Sequence, residues 1–148
     1  MNKLHKGGVV ILDFGSQYTQ LIARRIREQN VYSEILPPET AFNDILSREP
    51  AALILSGGPS SVYKDDAPDF DTAILDSELP MLGICYGLHL LAQHQGGVVE
   101  STGQGEYGFA EITAENEAGL LSDISWPSKV WMSHGDRVKH LPEGRQAL

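Results

Sequence analysis

The chain contains a single cysteine, Cys85, inside Leu82-Gly83-Ile84-Cys85-Tyr86-Gly87-Leu88-His89. Glycines stand two residues before it and two after it. Upstream, residues 79–84 read as a short apolar strand entered through Pro80. Downstream, Leu88, Leu90, Leu91 and Ala92 suit a helix that stops at Gly96-Gly97. A cysteine on such a strand-to-helix turn has the geometry of a nucleophile elbow, G-x-C-x-G in place of G-x-S-x-G. The turn is strained and neighbouring backbone passes close by, so glycines are required on either side. The first amides of the following helix are expected to favour thiolate over thiol. Taken alone, the motif fits equally a small cysteine buried as a hydrophobe.

A thiolate that attacks a carbonyl also needs donors for the developing oxyanion. Gly57-Gly58 follows an apolar run and leaves backbone amides bare. The amides of Gly58 and of Tyr86, the residue after the cysteine, could form that pair. A phosphate loop is excluded, because no lysine follows the glycines as G-x-x-x-x-G-K-[ST] requires; a simple turn remains open. The nucleophile needs a histidine and a group to orient it. The histidines are His5, His89, His94, His134 and His140. His134-Gly135-Asp136 invites use as base and orienter, but contact between the two side chains needs an extended backbone and Gly135 favours a turn. His89 lies one helical turn after Cys85, on the same helix face. It either lines a pocket or sits in solvent on a surface helix.

The elements that would position these groups follow a simple rhythm. Residues 9–12 form a continuous apolar run, the mark of a strand buried in a parallel sheet. A helix follows, with Ser16 as N-cap and Tyr18, Leu21, Ile22, Arg25 and Ile26 at helical spacing. Residues 31–36 read as a second strand, closed by Pro37-Pro38. Thr40 caps a short helix through Phe42, Ile45 and Leu46. Residues 51–55 read as a third strand. An acidic loop over residues 64–69 leads to a short helix around Ala73, Ile74 and Leu75, and then to the elbow. This order predicts an α/β fold with a doubly wound sheet. Ligands bind such sheets beyond the carboxyl ends of the strands, where residues 13–16, Gly57-Gly58 and Cys85 all fall. Beyond Gly97 the segments 98–100, 109–112 and 130–132 read as antiparallel strands added to the parallel core, joined by Gly103, Gly105 and Gly108.

The 148 residues suffice for one domain with a core. Eleven basic against twenty acidic residues give a net charge of −9. No basic surface is available for a nucleic-acid backbone. One cysteine excludes an internal disulfide and a cysteine metal cluster, and fits a reducing compartment. There is no signal-peptide core and no apolar run long enough to span a membrane, so a cytoplasmic location is expected.

Five segments occur in order: residues 13–25 (D-F-G-S-Q-Y-T-Q-L-I-A-R-R), 56–63 (S-G-G-P-S-S-V-Y), 83–87 (G-I-C-Y-G), 106–108 (E-Y-G) and 131–136 (W-M-S-H-G-D). With these the chain resembles the class I, triad-type glutamine amidotransferase domains of GMP synthetases, from Val9 to Leu141. G-x-C-x-G is common to the whole superfamily, whereas D-F-G-S-Q-Y-T-Q and M-S-H-G-D are specific to that branch. The resemblance implies a flavodoxin-like, mainly parallel sheet. It implies that Cys85 attacks the side-chain amide of glutamine, with Gly58 and Tyr86 as the oxyanion hole. Ser133, His134 and Asp136 would border the α-amino and carboxylate end of the substrate, and His89 the pocket wall. It implies no cofactor in this domain, with ATP and magnesium held by a partner ATP-pyrophosphatase (synthetase) domain, and a homodimer for the full-length enzyme. Three features depart from the family. His89 replaces a glutamine, Gly105 stands where an arginine usually precedes E-Y-G, and the H-P-E stretch that supplies the catalytic histidine and glutamate does not occur. Residues 1–148 are therefore expected to be an amidotransferase domain that is C-terminally incomplete and inactive alone. The competing readings are a non-catalytic glutamine- or partner-binding module and the amidotransferase subunit of another synthase.

Overall fold

A computed structural model of the chain describes residues 6–65, 67–116 and 119–147. His5, and Asp66 of the acidic loop, lie outside them. Four short strands, β1 (Val9–Leu12), β2 (Ser33–Leu36), β3 (Ala52–Leu55) and β4 (Met81–Gly83), form a parallel sheet in the order β2-β1-β3-β4. The chain winds outward from β1 to β2 and then crosses back to β3 and β4, so the sheet is doubly wound as expected, with its switch point between β1 and β3.

Alternation along the strands divides the core in two. Val10 and Leu12 of β1 and Leu53 and Leu55 of β3 face one side with Leu36. There they meet Ile45 of the short helix α2 (Phe42–Leu46) and Leu90 of helix α3 (Tyr86–His94). Ile11 and Ile54 face the other side, against Ala23, Ile22 and Ile26 of helix α1 (Thr19–Glu28). Every second residue of a strand thus serves a different layer, which explains runs with no polar alternation. On α1 the core stripe runs through Thr19, Ile22, Ala23 and Ile26. Tyr18 and Leu21 are 51% and 44% exposed, and Arg25 pairs with Glu28 in solvent, so the expected apolar face is rotated.

The caps differ from expectation. Ser16 lies one turn before α1: its Oγ accepts from the Tyr18 N–H (3.1 Å) and its carbonyl from the Thr19 N–H. Thr40 donates back to the Pro37 carbonyl, and the carboxylate that holds the Phe42 N–H of α2 (2.9 Å) is the distant Asp71. Asp71 also caps the 3-10 turn Thr72–Ile74 by accepting from Ala73. One carboxylate therefore starts two elements, a tertiary role that local sequence does not show.

Antiparallel strands follow the parallel core, as expected. Strands β5 (Val98–Ile112) and β6 (Ser128–His140) form one long antiparallel ribbon, a two-stranded sheet of its own. It packs against α3. The register shifts between Ser101 and Glu106, where the chain bulges. Gly135 lies within β6, so the turn expected there is absent.

Behind the site, Ser56 joins the ends of β1 and β3. Its buried Oγ accepts from the Phe14 N–H (2.9 Å) and donates to the Gly57 carbonyl (2.9 Å). Ser56→Ala leaves a buried N–H without a partner, which costs about 1–3 kcal/mol. Urea unfolding of the variant is expected to show a lower midpoint with an unchanged m-value.

Candidate active site

Cys85 lies between β4 and α3 with φ +51° and ψ −109°, a conformation that few non-glycine residues adopt. The glycines on either side answer to close approach. A Cβ on Gly83 would lie 2.6 Å from the Gly87 carbonyl and the Leu88 nitrogen, and one on Gly87 would collide with the Leu55 carbonyl. The turn is tied to β3 by Ile84 N–H to the Leu55 carbonyl (3.0 Å) and Gly87 N–H to the Ser56 carbonyl (3.1 Å). The Tyr86 ring is buried against Phe14 at 5.2 Å, anchoring the start of α3 below the β1 loop.

Above the sulfur opens a cleft of about 980 Å³. Its walls are residues 15–18 after β1, residues 57–61 after β3, the elbow with His89, and Tyr107, Trp131 and residues 132–138 of the ribbon. Cys85, Gly58, Tyr86, His89, Ser133, His134 and Asp136 all line it. They come from separate stretches of the chain, and the fold brings the whole set together. Gly58 is forced to be glycine, because a Cβ there would strike the Phe14 carbonyl. Its N–H makes no hydrogen bond among the described residues, so it is available to a ligand.

The electrostatics correct one expectation. Burial pushes the Cys85 thiol up, the Tyr86 N–H hydrogen bond pulls it back, and the Asp136 charge adds to the rise; the net direction is upward. The helix amide acts as expected on the thiolate but is outweighed by desolvation. His89 is 7% exposed, on the cleft side of α3 and not on a solvated face. Burial holds its imidazole below the usual histidine range, partly opposed by Asp136 and reinforced by His134.

His134 and Asp136 are not joined through their side chains. His134 Nδ1 is 3.0 Å from the Asp136 backbone carbonyl, and its Nε2 is 3.3 Å from the carboxylate of Glu106, its cross-strand partner. The Asp136 carboxylate accepts instead from the Tyr63 hydroxyl (2.7 Å). Glu106 and Tyr63 are not legible as site residues in the sequence, since both reach the site only through tertiary pairing. Among the described residues no histidine is hydrogen-bonded to Cys85, and no group of acidic, histidine or cysteine side chains could hold a metal.

The fold and cleft define a doubly wound α/β domain with a cysteine nucleophile elbow. Comparison with known proteins is specific. The family model for glutamine amidotransferase class-I matches residues 10–148, and the chain belongs to that family. A GMP synthase [glutamine-hydrolyzing] of Campylobacter lari is 49% identical over 145 residues, 98% of this chain and 28% of the relative. One from Brachyspira hyodysenteriae is 52% identical over 140 residues, 95% of this chain and 27% of the relative. The chain thus spans little more than a quarter of the length of these relatives. Among solved structures, a Thermoplasma acidophilum protein assigned as one subunit of a GMP synthase superposes with a TM-score of 0.80 at 25% identity. That match covers 97% of this chain and 71% of the other. No helix among the described residues is long and apolar enough to cross a membrane.

The buried His89 makes stability depend on pH. Its folded-state pKa lies below the unfolded value, so the unfolded chain binds the extra proton. Its stabilising contribution is complete above about pH 6.5 and is lost as pH falls below that value toward the folded-state pKa. His89→Gln is expected to flatten this acid limb, measured as thermal midpoint against pH.

Proposed function

We propose that this chain is the glutaminase part of a GMP synthetase. The Cys85 thiolate adds to the side-chain amide carbon of glutamine. The Gly58 and Tyr86 N–H groups hold the resulting oxyanion, which collapses to a γ-glutamyl thioester as the leaving nitrogen takes up the proton that the thiol gave up and departs as ammonia. Water then releases glutamate and regenerates the thiol. Ser133, His134 and Asp136 meet the α-amino and carboxylate end of the substrate, and His89 lines the wall beside its side chain. The ammonia passes to an ATP-pyrophosphatase domain, which uses ATP and magnesium to adenylate XMP and aminates it to GMP; the complete enzyme is a cytoplasmic homodimer.

The observation that carries this reading is the positive φ of Cys85 on a turn where flanking glycines alone fit. Such strain persists where a side chain must be presented at a fixed point. The family and the GMP synthase relatives favour glutamine and GMP synthesis over another synthase. In an enzyme that carries this sequence as its amidotransferase domain, Cys85→Ala is expected to abolish glutamine-dependent GMP formation and to leave formation from free ammonia intact. Glutamine use by the variant would refute the nucleophile assignment.

A second reading concerns the 148 residues by themselves: a domain that binds glutamine without turning it over. Two observations favour it, the lack of a histidine bonded to Cys85 among the described residues and the lack of an H-P-E stretch in the sequence. Loss of a triad base removes roughly six orders of magnitude. Glutamate release by the isolated chain is expected to match a Cys85→Ala control, while a glutamine-mimicking electrophile still labels Cys85. Release well above that control would assign the base to His134 with Glu106, or to His89.

A further inference from the structure

The Asp136 carboxylate stands out in the cleft. Among the described residues it forms no ion pair, although cations are close in sequence. Arg137 bonds to Glu100 through Nε (3.2 Å) and through an Nη nitrogen (2.9 Å), and Lys139 bonds to the other oxygen of Glu100 (2.8 Å). Both cations that follow Asp136 in the strand are thereby committed to a different carboxylate. The one side-chain partner that Asp136 has among the described residues is neutral, the Tyr63 hydroxyl at 2.7 Å. That bond reaches from the loop after β3, which also carries Gly57 and Gly58, across to β6. It is the contact by which the β3 loop and the ribbon hold one another at this end of the cleft.

A half-buried carboxylate whose one side-chain partner is neutral is open to a cation that enters the cleft, with which it forms a charge-assisted hydrogen bond. We propose that Tyr63 is a positioning residue: its phenol fixes the Asp136 carboxylate as the counter-charge for the ammonium group of an amino-acid substrate, and so couples occupancy of the cleft to the reactivity of Cys85. This rests on the reading of Cys85 as nucleophile.

The coupling is electrostatic. Asp136 lines the same cleft as Cys85 and His89, and its charge adds to the rise of the thiol as the smallest of the effects on it. The other charged or titratable groups in the cleft do not cancel it. Burial disfavours the charged form of His89, His134 is engaged by Glu106, and Arg137 by Glu100. An ammonium ion seated at Asp136 offsets its charge and relieves that part of the rise in the thiol, while the larger part, from burial, remains. Occupancy of the cleft by an amino acid thus eases ionisation of Cys85. Tyr63 holds the carboxylate in place for both states; it touches neither the sulfur nor the substrate side chain.

The test is the pH dependence of Cys85 alkylation by iodoacetamide, a neutral reagent that reports the thiolate. It is run on the 148-residue chain as wild type, Tyr63→Phe, Asp136→Asn and the double variant, with thermal midpoints measured in parallel. Asp136→Asn is expected to move the alkylation midpoint down. Tyr63→Phe is expected to move it in the same direction by less, and the double variant to match Asp136→Asn. L-norvaline, which has the ammonium group but no side-chain amide, is expected to lower the wild-type midpoint and leave that of Asp136→Asn in place. Pentanoate, which lacks the ammonium, is expected to move neither. A Tyr63→Phe midpoint equal to wild type, an additive double variant, or equal effects of norvaline and pentanoate would each overturn the proposal. Tyr63 is 45% exposed and phenylalanine keeps its ring; should that variant unfold, the norvaline comparison on wild type and Asp136→Asn decides alone. Failure of the nucleophile reading is separable, since it appears as glutamine use by Cys85→Ala and leaves these midpoints unaffected.

Discussion

The close contact between the backbone of the elbow and the carboxyl end of β3 is the constraint on which the site depends. Gly87 lies so near the Leu55 carbonyl that no side chain fits, and its N–H bonds to Ser56. Ser56 in turn holds the Phe14 N–H at the end of β1, and Gly58 packs its bare Cα against the Phe14 carbonyl. Three strand ends are thus drawn together by backbone contacts that tolerate almost no substitution. The positive φ of Cys85 follows, because the chain must reverse from strand to helix within one residue while both sides are pinned. The strain is maintained by packing on both sides, chiefly Tyr86 against Phe14.

The same compactness sets the electrostatics. A sulfur that sits low in a cleft loses solvation, and one helix amide does not restore it. The surroundings of the sulfur come largely from the ribbon. It brings Asp136, His134 and Ser133 over the elbow from much later in the chain, and Tyr63 ties it to the loop that carries Gly58. A long two-stranded ribbon with a bulge is well suited to this, since the register shift between Ser101 and Glu106 re-aims the facing strand.

Much of this is legible in the sequence. The strand-helix rhythm, the doubly wound sheet and the elbow all rest on local patterns of apolar runs and glycines, which short-range sterics and burial decide. The identity of Cys85 as the one thiol, and Gly58 and Tyr86 as its neighbours in the cleft, follow from strand ends meeting on one edge of the sheet. The departures are also of one kind. Thr40 as a cap and a turn at Gly135 are inferences from neighbours along the chain. Each is overruled by a partner from elsewhere: Asp71 at α2, and the pairing of β5 with β6.

The sequence by itself determined where the elbow cysteine sits, because an elbow needs a small set of residues close together in the chain, and their steric demands are local. Tertiary structure decided its chemical state and its surroundings. Whether the Cys85 thiol is raised or lowered depends on how much water the fold removes and on how near Asp136 comes to rest. Whether His89 faces the cleft or solvent depends on which side of α3 the sheet covers. Which carboxylate His134 meets depends on the register of two strands. Each is a distance between groups far apart in the chain, and such distances are set by packing rather than by any local pattern.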